Sequence, residues 1–208
     1  LGLSSGDSDQ VCRPIPGTLM AAPWLRNGKQ GQLLMNMRDD KDGPFFADPR
    51  NQLQKQVDIL ADMGLTAVVA LELEFYLVDR ERDDLGMVQP PCSPLTRERA
   101  SESQLYSIGE LDEYADFLDE IQTAARIQQL PLDTALKECA PGQFEINLIH
   151  LDDVMKACDS AVLLKRLIKG VALRHGFDAT FMAKPYGDEA GNGMHAHMSL
   201  VDQHGNNV

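Results

Sequence analysis

The chain is short of basic residues. Its 208 residues carry 19 Lys and Arg against 32 Asp and Glu, a formal net charge of −13. Holding a phosphate backbone or an anionic membrane surface needs a basic face, and the sequence offers none, so neither a nucleic-acid nor a membrane partner is expected. The surplus of carboxylates fits cations instead: metal ions, ammonium or polyamines. Cys12, Cys92, Cys139 and Cys158 are far apart with no CxxC pair, which excludes a zinc ribbon or a dithiol redox motif. They read as buried free thiols in a reducing, cytoplasmic compartment. No apolar run approaches the roughly 18 residues that a membrane span needs. No signal-peptide pattern, internal repeat or low-complexity tract is visible. The chain begins at Leu1 and stops at Val208 just past a turn, and it is expected to be part of a longer protein. What remains, 43% apolar and 25% charged residues, is ordinary globular composition.

Residues 1–47 are rich in Gly, Pro, Asp and Ser, with turn chemistry in PIPGTL and PWLRNGKQG and a short strand-like run at 32–37. Asp48-Pro49 reads as a helix N-cap followed by proline at the first helical position, and Gly64 as the helix end. Residues 66–79 form a strong strand pattern and 80–104 a polar loop. Helices are expected over 110–129 and 152–175. Residues 132–138 and 143–149 flank a Pro-Gly turn as a hairpin, and strands are expected at 177–183 and 194–201, joined by a glycine-rich loop. The layout is α+β, a mostly antiparallel sheet with helices on one face.

Three patterns carry chemistry. In TAVVALELEFYLVD, alternation places Glu72, Glu74 and Tyr76 on one face and Leu71, Leu73, Phe75 and Leu77 on the other. Two glutamates whose Cα atoms stand ~6.6 Å apart on one face of a central strand are costly unless something positive sits between them. Glu138 and Glu145 lie on either side of the Pro-Gly turn, so the hairpin can bring both to one surface. His195, His197 and Ser199 share a strand face, with Met194, Met198 and Leu200 expected to pack on the other; the glycines before them let backbone approach a small ligand. Each pattern alone also fits a solvent-facing strand. Together they are four carboxylates and an imidazole, a donor set that suits Mg²⁺ or Mn²⁺ better than zinc. Four negative charges would balance two divalent cations, and two-metal sites commonly clamp phosphoryl oxygens. His150 and His175 read as structural, and His204-Gly205-Asn206 as a turn. A metal hydrolase built on His195-x-His197 would want further histidine or lysine partners that the pattern does not supply.

LELEFYL, KECAPGQFEIN and FMAKPYGDEAGNGMHAHMSL, in this order and spacing, resemble the catalytic domain of the glutamine synthetase family, from about Asp7 onward. The MAKPY and HGNNV phrasing resembles most the γ-glutamylpolyamine (γ-glutamylputrescine) synthetase branch. The resemblance implies that residues 1–47 end a small β-grasp-like domain and that residues 48–208 begin the catalytic domain. It implies an ATP-dependent ligase that joins glutamate to an amine through γ-glutamyl phosphate, with ammonia-dependent glutamine synthesis or a non-catalytic structural relative as alternatives. By motif match, Glu74, Glu138 and Glu145 would hold one divalent ion near glutamate and the amine, with Glu138 also catalytic. Glu72 and His195 would hold the ion that bridges the ATP phosphates. His197 and Ser199 would sit near the nucleotide, Gly191 would receive glutamate, and Tyr106 would line the amine pocket. The family's glycine loop reads Asn-Gly-Ser-Gly-Met-His, whereas Ala190 and Asn192 replace its asparagine and serine here, which favours a different amine. A ring-shaped homo-oligomer is implied for the intact protein, and this chain by itself is expected to be inactive.

Overall fold

A computed structural model describes residues 10–25 and 28–208. Residues 1–9 of the expected N-terminal unit, and Arg26 and Asn27 in its second turn, lie outside the described residues. The first described segment forms two small antiparallel pairs. β1 (Val11–Pro14) pairs with β4 (Met35–Arg38), and β2 (Met20–Ala21) pairs with β3 (Gly31–Gln32). The run expected as one strand at 32–37 is thus divided. The Thr18 hydroxyl takes the Leu34 N–H at 3.0 Å, and the Leu34 carbonyl takes the Ile15 N–H, so the chain changes partners there.

α1 (Pro49–Asp62) starts where the sequence places it. Asp48 accepts the N–H groups of Arg50 and Asn51, and its second oxygen accepts the Met37 N–H at 2.7 Å, which ties β4 to the helix. The helix end is closed by Leu65 N–H returning to Leu60 O and Gly64 N–H to Ala61 O.

β5 (Thr66–Asp79) is the spine of the main sheet. One of its edges pairs with β7 (Gln143–Leu148), which continues to β6 (Leu132–Lys137). Along its other edge lie β9 (Met194–Val201), opposite residues 66–73, and β8 (Phe177–Thr180), opposite residues 76–79. All pairings are antiparallel. β8 stops short of the expected 183 because Asn192 donates its side-chain amide to the carbonyls of Thr180 and Met182, taking the groups a longer ladder would use.

Alternation along β5 turns Leu71, Leu73, Phe75 and Leu77 toward the helices, all buried. Phe75 is fully buried against Phe117, Phe144 and Phe181, with ring centroids 5.5 to 6.4 Å away. Burial of a side chain of that size is worth about 1.5–3 kcal/mol. α4 (Val154–Arg174), capped by Asp153, covers β5 and β8. Arg50 pairs with Asp159 at 3.0 Å and clips α1 to it. Trp24 lies so close to α4 that a Cβ on Gly170 would stand 2.2 Å from the indole, so only glycine admits this contact. On the opposite face of β5, Tyr76 and Val78 are covered by loops through Ala140, Val88, Tyr186 and Ala190.

Three expectations are corrected. The helix expected over 110–129 is two helices, α2 (Ile108–Glu113) and α3 (Ala115–Ile127), broken where Tyr114 turns inward against Phe144 and Phe177. Met194 and Met198 do not pack; they are 57% and 68% exposed, because the helices lie over β5 and β8 rather than over this part of β9, and only Leu200 reaches the core. The cysteines are free but not buried: Cys12 and Cys139 are exposed, and Cys92 and Cys158 half-buried. No described helix is long and apolar enough to cross a membrane.

Candidate functional site

The face of β5 away from the helices carries the acidic residues. Glu72 stands in register between Asn147 of β7 and His195 of β9, and Glu74 stands opposite Glu145. Both strands flanking β5 present the same face, so residues from separate parts of the chain meet without any loop having to place them. The Glu72 carboxylate is shared by two imidazoles, with Oε2 at 3.2 Å from His195 Nδ1 and Oε1 at 3.0 Å from His197 Nε2. Burial pushes its pKa up, but the bonds and charges of His197 and His195 outweigh this and hold it below the usual carboxylate range.

Glu145 is 6% exposed, and burial, then the charges of Glu72, Glu138 and Glu74, push its pKa upward. Glu138, just past β6, is pushed up by burial and by Glu74. Glu72, Glu145 and His195 each offer a ligand atom within 4.8 Å of the others, close enough to share one ion. A half-buried set of carboxylates that disturb one another this way is relieved by a divalent cation, and oxygen donors with one imidazole fit Mg²⁺ or Mn²⁺. Glu145, directly across from Glu74 and within reach of Glu72 and His195, lies beside both expected ion-holding sets.

The glycine loop closes on this face. Gly193 donates its N–H to Glu74 Oε2 at 2.9 Å, and a Cβ on it would stand 2.9 Å from both Glu74 Oε1 and His195 Nε2. A side chain there would fill the site. Gly191 is exposed, and a Cβ on it would stand 2.7 Å from the Ala183 carbonyl oxygen. Ser199 is half-buried on β9 opposite Val68, four residues and ~13 Å along the strand from His195. Tyr106 is 61% exposed with φ +58°; its N–H donates to the Lys137 carbonyl at 3.0 Å, so the backbone beside Glu138, rather than the phenol, is what the structure joins to the site.

Sequence reasoning passed over three side chains. Lys137 is fully buried; its ammonium donates to the carbonyls of Glu138 and Ala140 and pairs with Glu110 at 3.4 Å. Glu110 also accepts the Gly142 N–H at 3.1 Å, so the pair grips the turn that carries Glu138. Gln143 shares the site face with Glu145 and bonds to Glu74 and to the glycine loop. The alternation Gln143, Glu145, Asn147 could have flagged it. His150, read as structural, is exposed at the rim, its ring centroid 6.3 Å from that of His197, because its neighbour Leu151 bridges to Val69 of β5. His175 does have a structural partner, Glu120, at 2.9 Å.

An antiparallel sheet whose open face gathers carboxylates and imidazoles beside a glycine loop has the donor set of a divalent-cation site, as the sequence's resemblance to the glutamine synthetase catalytic domain implies. Known proteins agree. The family described as glutamine synthetase, catalytic domain, matches residues 46–208, and the chain belongs to it. It is 47% identical to gamma-glutamylputrescine synthetase PuuA of Escherichia coli (strain K12), covering all of this chain and 44% of that protein. It is 32% identical to a glutamate–isopropylamine ligase of a Pseudomonas species, again over 100% of this chain and 44% of that relative. Among solved structures, a GmaS/ADP complex superposes with a TM-score of 0.82 at 28% identity, covering 100% of this chain and 45% of that one. The chain therefore spans a little under half the length of these relatives.

Proposed function

We propose that the protein to which this chain belongs is an ATP-dependent ligase that forms a γ-glutamyl amide, with a polyamine such as putrescine as the amine. The observation that carries the reading is the convergence of Glu72, Glu74, Glu145 and His195 on one sheet face beside the glycine loop, with Glu138 close enough to feel the charges of Glu74 and His195, in a chain 47% identical to a gamma-glutamylputrescine synthetase. Glu74, Glu138 and Glu145 would hold one divalent ion, Mg²⁺ or Mn²⁺, and Glu72 with His195 a second. Such ions supply charge neutralisation and orientation for phosphoryl oxygens.

The chain's own residues have distinct tasks. His197 and Ser199 flank the nucleotide, Gly191 receives glutamate, and the segment at Tyr106 borders the amine. A side-chain carboxylate oxygen of glutamate attacks the γ-phosphorus of ATP, and ADP departs. The amine nitrogen then attacks the acyl carbon, phosphate leaves, and Glu138 takes the proton from nitrogen. Burial and the neighbouring Glu74 charge raise the pKa of Glu138 above its ordinary value, which makes its ionised form a stronger proton acceptor. Relatives named for putrescine, isopropylamine and aniline products share the family, so the amine pocket is where it diversifies. Ala190 replaces the family asparagine here, and its carbonyl accepts from the Tyr76 hydroxyl at 2.6 Å.

Residues 10–47, with their two short strand pairs, are assigned to the end of a β-grasp-like domain and residues 48–208 to the catalytic domain. The intact protein is proposed to be a cytoplasmic, ring-shaped homo-oligomer. The site residues described supply carboxylates and imidazoles but no arginine for anionic substrates, so the 208-residue chain alone should not turn over. The deciding experiment offers the intact protein ATP, glutamate and a panel of putrescine, spermidine, isopropylamine and ammonium, and follows phosphate release. Putrescine or spermidine is expected to give the highest kcat/KM. Ammonium prevailing outright refutes the polyamine assignment, and phosphate release with no amine at all refutes the ligase.

A further inference from the structure

We infer that Gln143 is a positioning residue: it locks the Glu74 carboxylate, the glycine loop at Gly191 and the turn that carries Glu138 into one unit. The inference deepens the proposed function and rests on it. Gln143 is fully buried at the start of β7. Its Nε2 lies 3.0 Å from the Gly191 carbonyl, 3.2 Å from Asn192 Oδ1 and 3.3 Å from Glu74 Oε2. Its Oε1 accepts the Ala140 N–H at 3.2 Å. A primary amide has two N–H groups, and here three acceptors surround them, so its whole donor capacity is engaged. Flipping the amide would set its oxygen against a carboxylate and a carbonyl, so the network admits one orientation.

The consequence for Glu74 is specific. Gln143 and the Gly193 N–H both reach Oε2, which leaves Oε1 as the oxygen turned to a cation. The consequence for the loop is equally direct. Asn192 anchors it on its far side, through Met182 O at 2.9 Å and its own N–H to Ala183 O, while Gln143 anchors it to β5 and β7. Removing Gln143's polar end takes one anchor from the loop that is to receive glutamate, which Tyr76 and the Gly193 backbone still tie to β5, leaves the Glu74 carboxylate held by the Gly193 N–H, and does not touch the histidine strand.

Gln143→Leu keeps the volume and deletes every one of these bonds. Hydrogen exchange on the chain is the first measurement. The amides of Ala140 and Gly193 should exchange tenfold faster or more, while those of Leu73 and Phe75 keep their protection. Unchanged exchange at Ala140 and Gly193, or loss of protection along β5 as well, overturns the inference, since the residue would then be idle or merely part of the core. In the intact enzyme, the variant should raise the glutamate KM at least tenfold and leave the ATP KM within twofold; both rising together, or neither, overturns it. Wild-type protein that fails to turn over would defeat the ligase reading, while the exchange pattern still decides the role of Gln143.

Discussion

Replacing Lys137 by Met tests the strongest energetic claim in the structure. The lysine side chain is 0% exposed and its partner Glu110 15% exposed. Burial lowers the lysine's basicity against the pull of Glu110, and raises Glu110 against the pull of Lys137, as expected when desolvation is the larger effect on each. In Lys137→Met, Glu110 keeps only the Gly142 N–H, and the carbonyls of Glu138 and Ala140 lose their donor. Leaving a buried carboxylate without its cation costs about 3–5 kcal/mol. For a chain of this size each kcal/mol moves the midpoint by about 2–4 °C, so the melting temperature should fall by roughly 10 °C.

The pH dependence carries its own sign. Without Lys137, the folded-state pKa of Glu110 rises further above its unfolded value. The folded variant then binds a proton that the unfolded chain has already released, so the deficit should shrink as pH falls through the raised value and grow as pH rises through it. The assay is urea unfolding of wild type, Lys137→Met, Glu110→Gln and the double variant. The double variant removes both charges and should recover to within about 1.5 kcal/mol of wild type. A single variant within about 1 kcal/mol of wild type at neutral pH, or a double variant no better than the single, refutes the claim that this pair holds the turn.

Further expectations concern the acidic face and the core. Glu74→Ala and Glu138→Ala should each weaken Mn²⁺ binding about tenfold or more, equivalent to about 1.4 kcal/mol, in a titration followed by electron paramagnetic resonance; wild-type affinity in both would dismiss the metal site. Burial and neighbouring carboxylates raise Glu138 and Glu145 in the metal-free protein, so the stability they contribute is present at acid pH and lost as pH rises through their folded values. A divalent ion reverses this by favouring the charged forms. The rise in melting temperature caused by Mg²⁺ should therefore be larger at ~pH 8 than at ~pH 5, and a rise independent of pH would argue against carboxylate ligands. Phe75→Ala should cost about 3–5 kcal/mol in denaturant unfolding, since three rings close over it; a loss under about 1.5 kcal/mol would mean that they collapse into the space.

Much of this site can be read from the chain because it is built on strands. Period-two alternation alone puts Glu72 and Glu74 opposite Leu73 and Phe75, and the same rule puts His195 with His197. The hairpin that joins Glu138 to Glu145 is announced by Pro141-Gly142. Residues whose roles depend on distant partners were not legible. Lys137 looks like an ordinary strand lysine until Glu110, on α2, is brought beneath it. Tyr114 continues a helical pattern in sequence, and only the pocket between Phe144 and Phe177 reveals why the helix breaks there. Met194 and Met198 follow the alternation of a two-sided strand, but alternation cannot say whether anything covers the second side. His150 has no local signal, since its nearness to His197 arises from two strands flanking a third.

The length of β5 ties the acidic face and folding together. Fourteen residues of one strand supply the middle of the core on one side and the two central carboxylates on the other. A defect behind the sheet, such as a cavity where Phe75 or Leu73 packs, displaces the same backbone that aims Glu72 and Glu74. Mild core lesions in this protein should therefore show first as poorer ion capture, at temperatures where the chain is still folded. Substitutions in the loops around Tyr106 and Ala190, which carry little of the core, are expected to disturb the fold less than any along that strand.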